Sequence, residues 1–461
     1  MPPKQMLMLN RPPAPEPQAR PLGVLPLLFA LRRNPLSTWT QAHFEEPILH
    51  GESIIGPVCV VNDPAAIRYV LVDNAANYRK DDLTRRLLGP GLDGGLLLVE
   101  GDEWRVQRRV LAPVFTPRMV ARFRPAMAEA AQALVARWGR QRAGQRIDVA
   151  VEFSRVTLDI LERTIFPQGL GRDPREFVSA VTTYFESAGR IDPLDLLNFP
   201  EWLPRIGRRR AAPALAFFAE AVDARVAKSR ASPASAPDPA RTDLLTLLLC
   251  AADPETGAGL TEHEVRANIL TFIGAGHETT ANALTWTCYL LSQHPNWRAR
   301  AEAEVDEKLK EGDMPSPDEL PVVRAVIEEA LRLYPPAASL TREALRADRI
   351  GKLRIAPGTR IVVSPWIVHR HKRLWTDPDL FEPSRFLPGA REQIDRFAYL
   401  PFGAGPRICI GMGFAMQEAV IILAHVLKRF RLDPAPGHVV APVQRVTLRP
   451  KGGMPLILRP R

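Results

Sequence analysis

Cysteine is scarce in this chain, with four residues among 461, at positions 59, 250, 288 and 409. None of them forms a CxxC pair or another spacing typical of metal ligands, so the sequence predicts neither a structural zinc site nor a disulfide framework. Sparse, unpaired cysteine is typical of proteins in a reducing compartment. We therefore expect a cytoplasmic protein.

Long apolar runs are also missing. The apolar stretch from Leu22 to Leu31 is too short to span a bilayer, contains Pro26, and lacks the small-residue cleavage site of a signal peptide. The chain has 61 basic and 51 acidic residues, a formal net charge of +10, but no basic patch is interleaved with aromatic residues. We expect a monomer without a membrane anchor and without a nucleic-acid partner.

Helical periodicity dominates what is present, for instance from Met127 to Trp138 and from Ala214 to Val226. Strand-like runs are few, and the clearest are Ile54 to Val61 and Ile361 to Ser364. The stretch from Ser229 to Arg241 is rich in Ala, Pro and Ser, which predicts a mobile surface loop within one domain. The predicted class is mainly α with small β-sheets.

The clearest helix follows Thr261 and ends near His294, just before Pro295. Thr261 and Glu264 have the spacing of a capping box, in which each side chain bonds the other residue's backbone N–H. At ~1.5 Å per residue the helix is roughly 50 Å long. We expect it to cross the whole molecule.

The middle of this helix carries an unusual run. Gly274 and Gly276 each cost ~1 kcal/mol relative to alanine in a helix interior, which indicates that the backbone lies close to something. The Thr279 hydroxyl can bond the Ala275 carbonyl and bend the helix. The sequence therefore predicts a notch that holds the Thr279 hydroxyl and the Glu278 carboxylate.

Cys409 follows a glycine-rich run and precedes an apolar helix. A helix N-terminus favours the thiolate form of a nearby cysteine, and the glycines let the backbone lie close to a large flat group. Arg407 supplies a cation suited to a carboxylate. Together these features describe a haem seat with sulfur as the axial ligand.

Glu329 and Arg332 lie three residues apart on a predicted helix, so their side chains are neighbours on one surface. Glu329 shares its stripe with apolar residues, which indicates a buried carboxylate that needs a paired cation. Arg332 is the near candidate, and Arg385 in a proline-rich segment is a second. A surface ion pair is the alternative interpretation of an ExxR spacing taken alone.

Several of these segments resemble the motifs of the cytochrome P450 family. The run from Phe402 to Gly411 is similar to its haem-binding signature, and the segment from Ala275 to Thr280 is similar to its oxygen-activation motif on the long I helix. The other matches are the K-helix ExxR of Glu329 and Arg332, the PxRF segment with Arg385, the W-x-x-x-R of Trp104 and Arg108, and a propionate-binding position at Arg342. They occur in family order from about Ile54 to the C-terminus.

The resemblance implies a single-domain, mainly α fold over residues 46–461, with haem b (iron protoporphyrin IX) between the long I helix and the Cys409 loop. Residues 1–45 are expected to be a proline-rich, partly disordered segment. Cys409 is implied to ligate iron, Thr279 and Glu278 to handle protons, and Glu329, Arg332 and Arg385 to form a structural triad. The residues implied to contact the cofactor are Trp104, Arg108, Ala275, Gly276, Arg342, Phe402, Gly403, Arg407, Cys409 and Gly411.

The implied reaction is monooxygenation, in which one atom of O2 enters a lipophilic small molecule such as a fatty acid, a steroid or a terpenoid-like compound. Because the chain ends shortly after the family motifs, we expect electrons from a separate ferredoxin and its NAD(P)H-dependent ferredoxin reductase. A peroxide-driven peroxygenase or isomerase and a non-catalytic haem-thiolate sensor are the alternatives, and the Glu278–Thr279 pair argues against both. The residues predicted to line the substrate pocket are Leu87, Leu88, Leu92, Phe272, Ala275, Ala337 and Ser339.

Overall fold

The computed structural model describes residues 11–461 except 54–55, 167–175, 177–179, 181–182, 185–191, 197–198, 201, 232–242 and 311. The helices among these residues are α1 Val24–Arg33, α2 Pro64–Arg68, α3 Asp82–Leu92, α4 Gly101–Leu111, α5 Pro117–Arg122, α6 Arg124–Gly139, α7 Val149–Ile165, α8 Pro193–Leu196, α9 Ile206–Ala231, α10 Leu244–Cys250, α11 Glu262–Gln293, α12 Pro295–Lys308, α13 Pro321–Leu333, α14 Pro365–Val368 and α15 Met412–Arg429. Helix predominates, as predicted. Residues 232–241 of the predicted surface loop lie outside the described residues.

The strands are short. They are β1 Ile48–Ser53, β2 Gly56–Val61, β3 Tyr78–Arg79, β4 Arg146–Asp148, β5 Leu340–Ala344, β6 Asp348–Ile350, β7 Leu353–Ile355, β8 Arg360–Val363, β9 Phe430–Pro434, β10 Pro442–Gln444, β11 Leu448–Pro450 and β12 Pro455–Pro460. A five-stranded sheet has the order β1-β2-β8-β5-β3, and β4-β12-β9 form a second sheet. Both predicted strand runs belong to the five-stranded sheet, where β2 and β8 pair in parallel with Cys59 opposite Ile361.

Helix α11 begins at the predicted cap. The Thr261 hydroxyl accepts from the Glu264 N–H at 3.3 Å, and the Glu264 carboxylate accepts from the Thr261 N–H at 2.8 Å. Its 32 residues correspond to about 48 Å, and it packs against α7, α9, α12, α13 and α15. The notch residues at its centre therefore lie deep in the molecule.

The N-terminal segment bonds to the main body both before α1 and at the C-cap of that helix, Asn34. The Tyr334 hydroxyl donates to the Pro13 carbonyl at 2.9 Å, and the Asn34 amide donates to the Pro442 carbonyl at 3.0 Å. Helix α1 itself has no buried residue, and its Leu25 and Phe29 side chains are exposed. The division of the chain at residue 46 stays a prediction.

No helix in the described part of the chain combines the length and the apolar character that crossing a membrane requires.

Candidate active site

The loop from residue 402 to 411, called the loop wall below, turns sharply before α15. Gly403 and Gly405 have positive φ values of 72° and 71°, a conformation that side chains disfavour. A Cβ on Gly405 would overlap the Leu71 carbonyl oxygen, so only glycine fits there. The Cys409 N–H donates to the Phe402 carbonyl at 2.9 Å. This bond closes the loop and leaves the Cys409 side chain facing a cavity.

The pKa of the Cys409 thiol is raised, whereas a cysteine at a helix N-terminus is expected to have a lowered pKa. Burial raises its pKa, while the Gly411 backbone N–H and the Arg108 charge lower it, and burial has the larger effect. Gly411 is the N-cap residue of α15, so the helix N-terminus does act on the sulfur, but its effect is smaller than that of burial. A bound metal cation is what converts such a thiol to thiolate.

The cavity above Cys409 has a volume of about 400 Å³. Residues 272–280 of α11, called the helix wall below, form its opposite side. Of the predicted substrate-pocket residues, the structure brings five to the cavity: Leu88, Leu92, Phe272, Ala275 and Ala337.

Leu87 and Ser339 do not line this cavity. Leu88 and Leu92 are four residues apart and share one face of α3, which turns Leu87 to another face. Leu340 and Arg342 line the cavity from β5, and side chains alternate along a strand. Ser339 therefore points away from the cavity.

The helix wall has the predicted notch. The Thr279 hydroxyl donates to the Ala275 carbonyl at 2.8 Å, and both residues line the cavity together with Gly276. Glu278 lies behind this surface, where Arg449 is 3.8 Å away and Glu278 is 14% exposed. Burial raises the pKa of Glu278, whereas Arg449 and the Thr447 hydroxyl lower it.

Cationic side chains gather at one edge of the cavity. Arg108, Arg342 and Arg407, the three arginines that the family resemblance implies, all line it, and so does Lys80. The Arg407 guanidinium lies 4.1 Å from the centre of the Trp104 ring. Burial lowers the pKa of Arg342 and, with less effect from the Arg342 and Arg108 charges, brings that of Arg407 to about 10.

Lys80 is a residue that the sequence did not reveal. It donates to the Leu97 carbonyl, and burial, followed by the Arg407 and Arg342 charges, lowers its pKa to about 7. Its sequence neighbours form no motif, so no local signal indicated it. Lys80 directly follows β3, and the pairing of β3 with β5, which carries Arg342, brings it to the cationic edge.

Haem fits this cavity. A thiol opens into it from the loop wall, and its surfaces are largely apolar. At the cationic edge Lys80, Arg108, Arg342 and Arg407 face Glu100, which pairs with Arg407, and more distantly Asp81. Three arginines and the partly charged Lys80 against these two carboxylates leave an excess of positive charge that propionates would neutralise.

The Glu329–Arg332 pair lies behind the loop wall and both side chains are fully buried. Arg332 Nε donates to Glu329 Oε2 at 2.6 Å and Nη2 to Oε1 at 2.7 Å, and Arg385 Nε is 3.7 Å from Oε1. Arg332 also donates to the carbonyls of His369, Pro378 and Leu380. One arginine thus binds three carbonyls on two backbone segments, which a surface ion pair would not do.

Comparison with known proteins agrees with this geometry. The model of the family described as Cytochrome P450 matches residues 15–456. Two similar proteins of Streptomyces melanosporofaciens are cyclooctatin synthase, 34% identical over 88% of this chain and 87% of the relative, and cyclooctat-9-en-7-ol 5-monooxygenase, 32% identical over 95% and 94%. A crystal structure of the cytochrome P450DA heme domain superposes with a TM-score of 0.81 at 28% identity, covering 98% of each chain.

The family match covers nearly the whole chain and includes every motif at the cavity. The chain therefore belongs to the cytochrome P450 family, as a monooxygenase whose cofactor is haem b.

Proposed function

We propose that this monooxygenase oxidises a lipophilic molecule, of the fatty-acid, steroid or terpenoid-like kind, with electrons from a separate ferredoxin. The observation that carries the substrate class is the apolar wall formed by Leu88, Leu92, Phe272 and Ala337 above the sulfur. A hydrocarbon skeleton gains about 25 cal/mol for each Å² of apolar surface that it buries there. One relative's name specifies a cyclic alkenol as its substrate, which supports the terpenoid-like end of this range.

When bound, haem supplies the oxygen chemistry, and the protein orients it. Cys409 would hold the iron, with Phe402 beside the sulfur to tune its donor strength. Arg108, Arg342 and Arg407, together with Lys80, would hold the propionates by charge-assisted hydrogen bonds. Ala275 and Gly276 line the cavity from the helix wall, where they would contact the bound group.

Thr279 and Glu278 are the residues that we propose to handle protons. The Thr279 hydroxyl reaches the cavity and uses its proton in the bond to Ala275, so its oxygen can accept from a water beside the reacting centre. Glu278 reaches the cavity less directly, through the Thr447 hydroxyl, which lines it. The pKa of Glu278 is raised by burial, which is the direction that suits a proton donor.

The electron donor is proposed to dock behind the loop wall. A surface groove there is lined by Arg68, Val72, Arg396, Phe397, Gly405, Pro406 and Ile408. Its charged members are arginines, and the whole chain has a net charge of +10. The positive charge of the groove and that of the whole chain both favour a small acidic ferredoxin. The groove also lies close to the proposed iron ligand, because Cys409 directly follows the groove residue Ile408.

We also propose that the protein is a cytoplasmic monomer with one haem domain over residues 46–461. All four cysteines are free thiols, which suits a reducing compartment.

The substrate class is tested with a panel of dodecanoic acid, testosterone and geraniol. Binding in the apolar cavity should displace water near the iron and shift the haem spin state. The strongest binder is then turned over under isotopically labelled O2, and one labelled atom should enter the product. Binding without incorporation of labelled oxygen would refute the proposed reaction.

The donor is tested by the rate of haem reduction under CO over a salt series with a plant-type ferredoxin. Exposed charges attract over a Debye length of ~8 Å at physiological salt, so the association rate should fall as salt rises. Arg68→Glu with Arg396→Glu should slow reduction at low salt, while Arg142→Glu, outside the groove, should not. Reduction rates that are indifferent to salt, or an equal effect of the control, would contradict the docking site.

A further inference from the structure

Glu100 is a carboxylate of the cationic edge that does not itself line the cavity. It stands at the N-cap of α4, a position where a side-chain oxygen commonly accepts a hydrogen bond from the first turn of the helix. The Glu100 side chain makes no such bond. Its Oε2 atom pairs instead with Arg407 Nη2 of the loop wall at 2.5 Å, and its Oε1 atom accepts from the Lys80 N–H at 3.3 Å. The carboxylate therefore serves the cationic edge and not its own helix.

The Arg407 guanidinium is held on several sides by the segment that contains Glu100. Nη1 donates to the Val99 carbonyl at 2.9 Å, and the centre of the Trp104 ring lies 4.1 Å from the guanidinium. The bonds to Val99 and Glu100 do not use Nε, and each Nη atom has a second N–H. Arg407 can therefore donate to a propionate in the cavity while Glu100 pairs with it from outside the cavity.

The charge of Glu100 also acts on more than one cation. Burial has the largest effect on the pKa values of Arg407, Arg342 and Lys80, and it lowers all three. Glu100 raises each of these pKa values, whereas the arginines lower those of Arg407 and Lys80 by repulsion. One carboxylate thus offsets part of the positive charge that three cavity-lining side chains present.

We propose that Glu100 is a positioning residue of the haem site, which lowers the reduction potential of the iron by offsetting the charge of Arg407. Ferrous haem carries one positive charge less than ferric haem, so a cation nearby favours the ferrous form and an anion favours the ferric form. The electron still comes from the external donor, and Glu100 changes only the equilibrium between the two forms. The inference rests on the proposed contact between Arg407 and a propionate.

The first test is a spectroelectrochemical titration of the holoenzyme without substrate. Glu100→Gln keeps an acceptor for Arg407 but removes the negative charge. At the midpoint potential of wild type, its ferrous-to-ferric ratio should rise about threefold, a modest change because solvent screens a side chain that is 29% exposed. Glu100→Asp keeps the charge and should stay close to wild type.

Glu103→Gln is the matched control for this titration. It removes the same charge three residues further along the chain, from an exposed residue that does not line the cavity, and its ratio should equal that of wild type. A wild-type ratio in Glu100→Gln overturns the proposal, even if that variant unfolds at a lower temperature, because the pair would then be only structural. An equal rise in Glu103→Gln or in Glu100→Asp overturns it as well.

The second test reverses the sign of the change. Arg407→Gln removes the cation that Glu100 offsets, so the ferrous-to-ferric ratio should fall below that of wild type. Adding Glu100→Gln to this variant should raise the ratio again, because the two changes remove opposite charges. A rise in Arg407→Gln, or a double variant that falls further, would show that the charge of this pair does not set the potential.

Transfer of ferric haem to apomyoglobin separates this inference from the proposed function. Arg407→Gln should release haem about tenfold faster than wild type, because it loses a charge-assisted hydrogen bond to the propionate. Release at the wild-type rate would refute the proposed propionate contact, and the present inference with it. Faster release from Arg407→Gln together with a wild-type ratio in Glu100→Gln would refute the present inference alone.

Discussion

The two walls of the cavity differ in how completely their polar groups are paired. Behind the loop wall, Arg332 uses all three guanidinium nitrogens, on Glu329 and on three carbonyls. Behind the helix wall, Glu278 Oε2 and Glu418 Oε1 are buried without a hydrogen-bond partner in the described part of the chain. Arg385 Nε, also behind the loop wall, is buried without a hydrogen-bond partner among the described residues, but the Glu329–Arg332 pair itself is fully bonded. We call the loop wall the saturated wall for this pair and the helix wall the unsaturated wall.

The largest effect is expected from breaking the saturated wall with Glu329→Ala. The change leaves Arg332 buried without its carboxylate, which costs about 3–5 kcal/mol. Soluble yield and haem content for each protein chain should both collapse. Glu328→Gln is the matched control, because its partners Arg324 and Arg391 are 35% and 34% exposed and can be solvated. A soluble, haem-replete Glu329→Ala with only a slower rate would show that the triad has another role.

Removing the ligand alone should leave the fold intact. Cys409→Ser deletes the sulfur but keeps the loop hydrogen bond, which uses the backbone N–H. The reduced CO complex should lose the strongly red-shifted Soret band of thiolate-ligated haem, and O2-dependent activity should be lost. Cys288→Ser is the control, since that thiol is buried in the core away from the cavity. Persistence of the red-shifted band in Cys409→Ser would refute the ligand assignment.

A substitution in the unsaturated wall should change the products of O2 reduction and leave the stability of the protein unchanged. Thr279→Ala removes a hydroxyl that reaches the cavity, so haem content should be unchanged while about tenfold more NADPH is diverted to hydrogen peroxide. Thr287→Ala deletes a hydroxyl with the same local bond, to Ala283 at 2.7 Å, and should not change peroxide yield. Peroxide formed for each NADPH measures both. Equal yields in wild type and Thr279→Ala would contradict a role in proton handling.

The smallest expected effect is a loss of stability at low pH. It comes from two buried histidines, one behind each wall of the cavity. Burial lowers the pKa of His277 in α11 to about 4, and burial, aided by the Arg332 charge, lowers that of His369 behind the loop wall to about 3. Below pH 6.5 these histidines bind protons in the unfolded chain but not in the folded chain. The free energy of unfolding is therefore not reduced by them above pH 6.5, and it falls as the pH drops from 6.5 towards their folded-state pKa values.

Between pH 6.5 and 5 each histidine should therefore cost about 2 kcal/mol of unfolding free energy. Urea unfolding of wild type and His277→Gln at pH 7 and 5 isolates one of them, because all other titrating groups are common to both proteins. The variant should lose less stability on acidification. Parallel losses would show that His277 is protonated in the fold.

Local features of the site were predictable from sequence, and tertiary ones were not. The cap at Thr261 and the Thr279–Ala275 bond join residues within one or two turns, so spacing alone identified them. Lys80 reaches the site only through packing between distant elements.

The two predicted pocket residues that do not line the cavity illustrate a related limit. Leu87 sits beside Leu88 in the sequence but turns to another face of α3, because the helical phase depends on where that helix begins. Ser339 precedes a strand whose alternation is set by its sheet partner β8. The amino-acid composition identified the segments that line the cavity. Which side chains of a segment face the cavity depends on how its helix or strand is oriented against its neighbours.

The backbone contact at Gly405 also determines where this protein can change. Gly403 and Gly405 share the same left-handed backbone, but a Cβ at 403 would meet Leu340 at 3.7 Å, an ordinary contact, whereas at 405 it would overlap the Leu71 carbonyl. Residue 403 can thus accept an asparagine for a moderate penalty, and residue 405 accepts nothing but glycine. Mutations and designed libraries around the sulfur will therefore spare Gly405 and accumulate in the helix wall. Substitutions there can change the substrate preference while the loop that would hold the iron keeps its conformation.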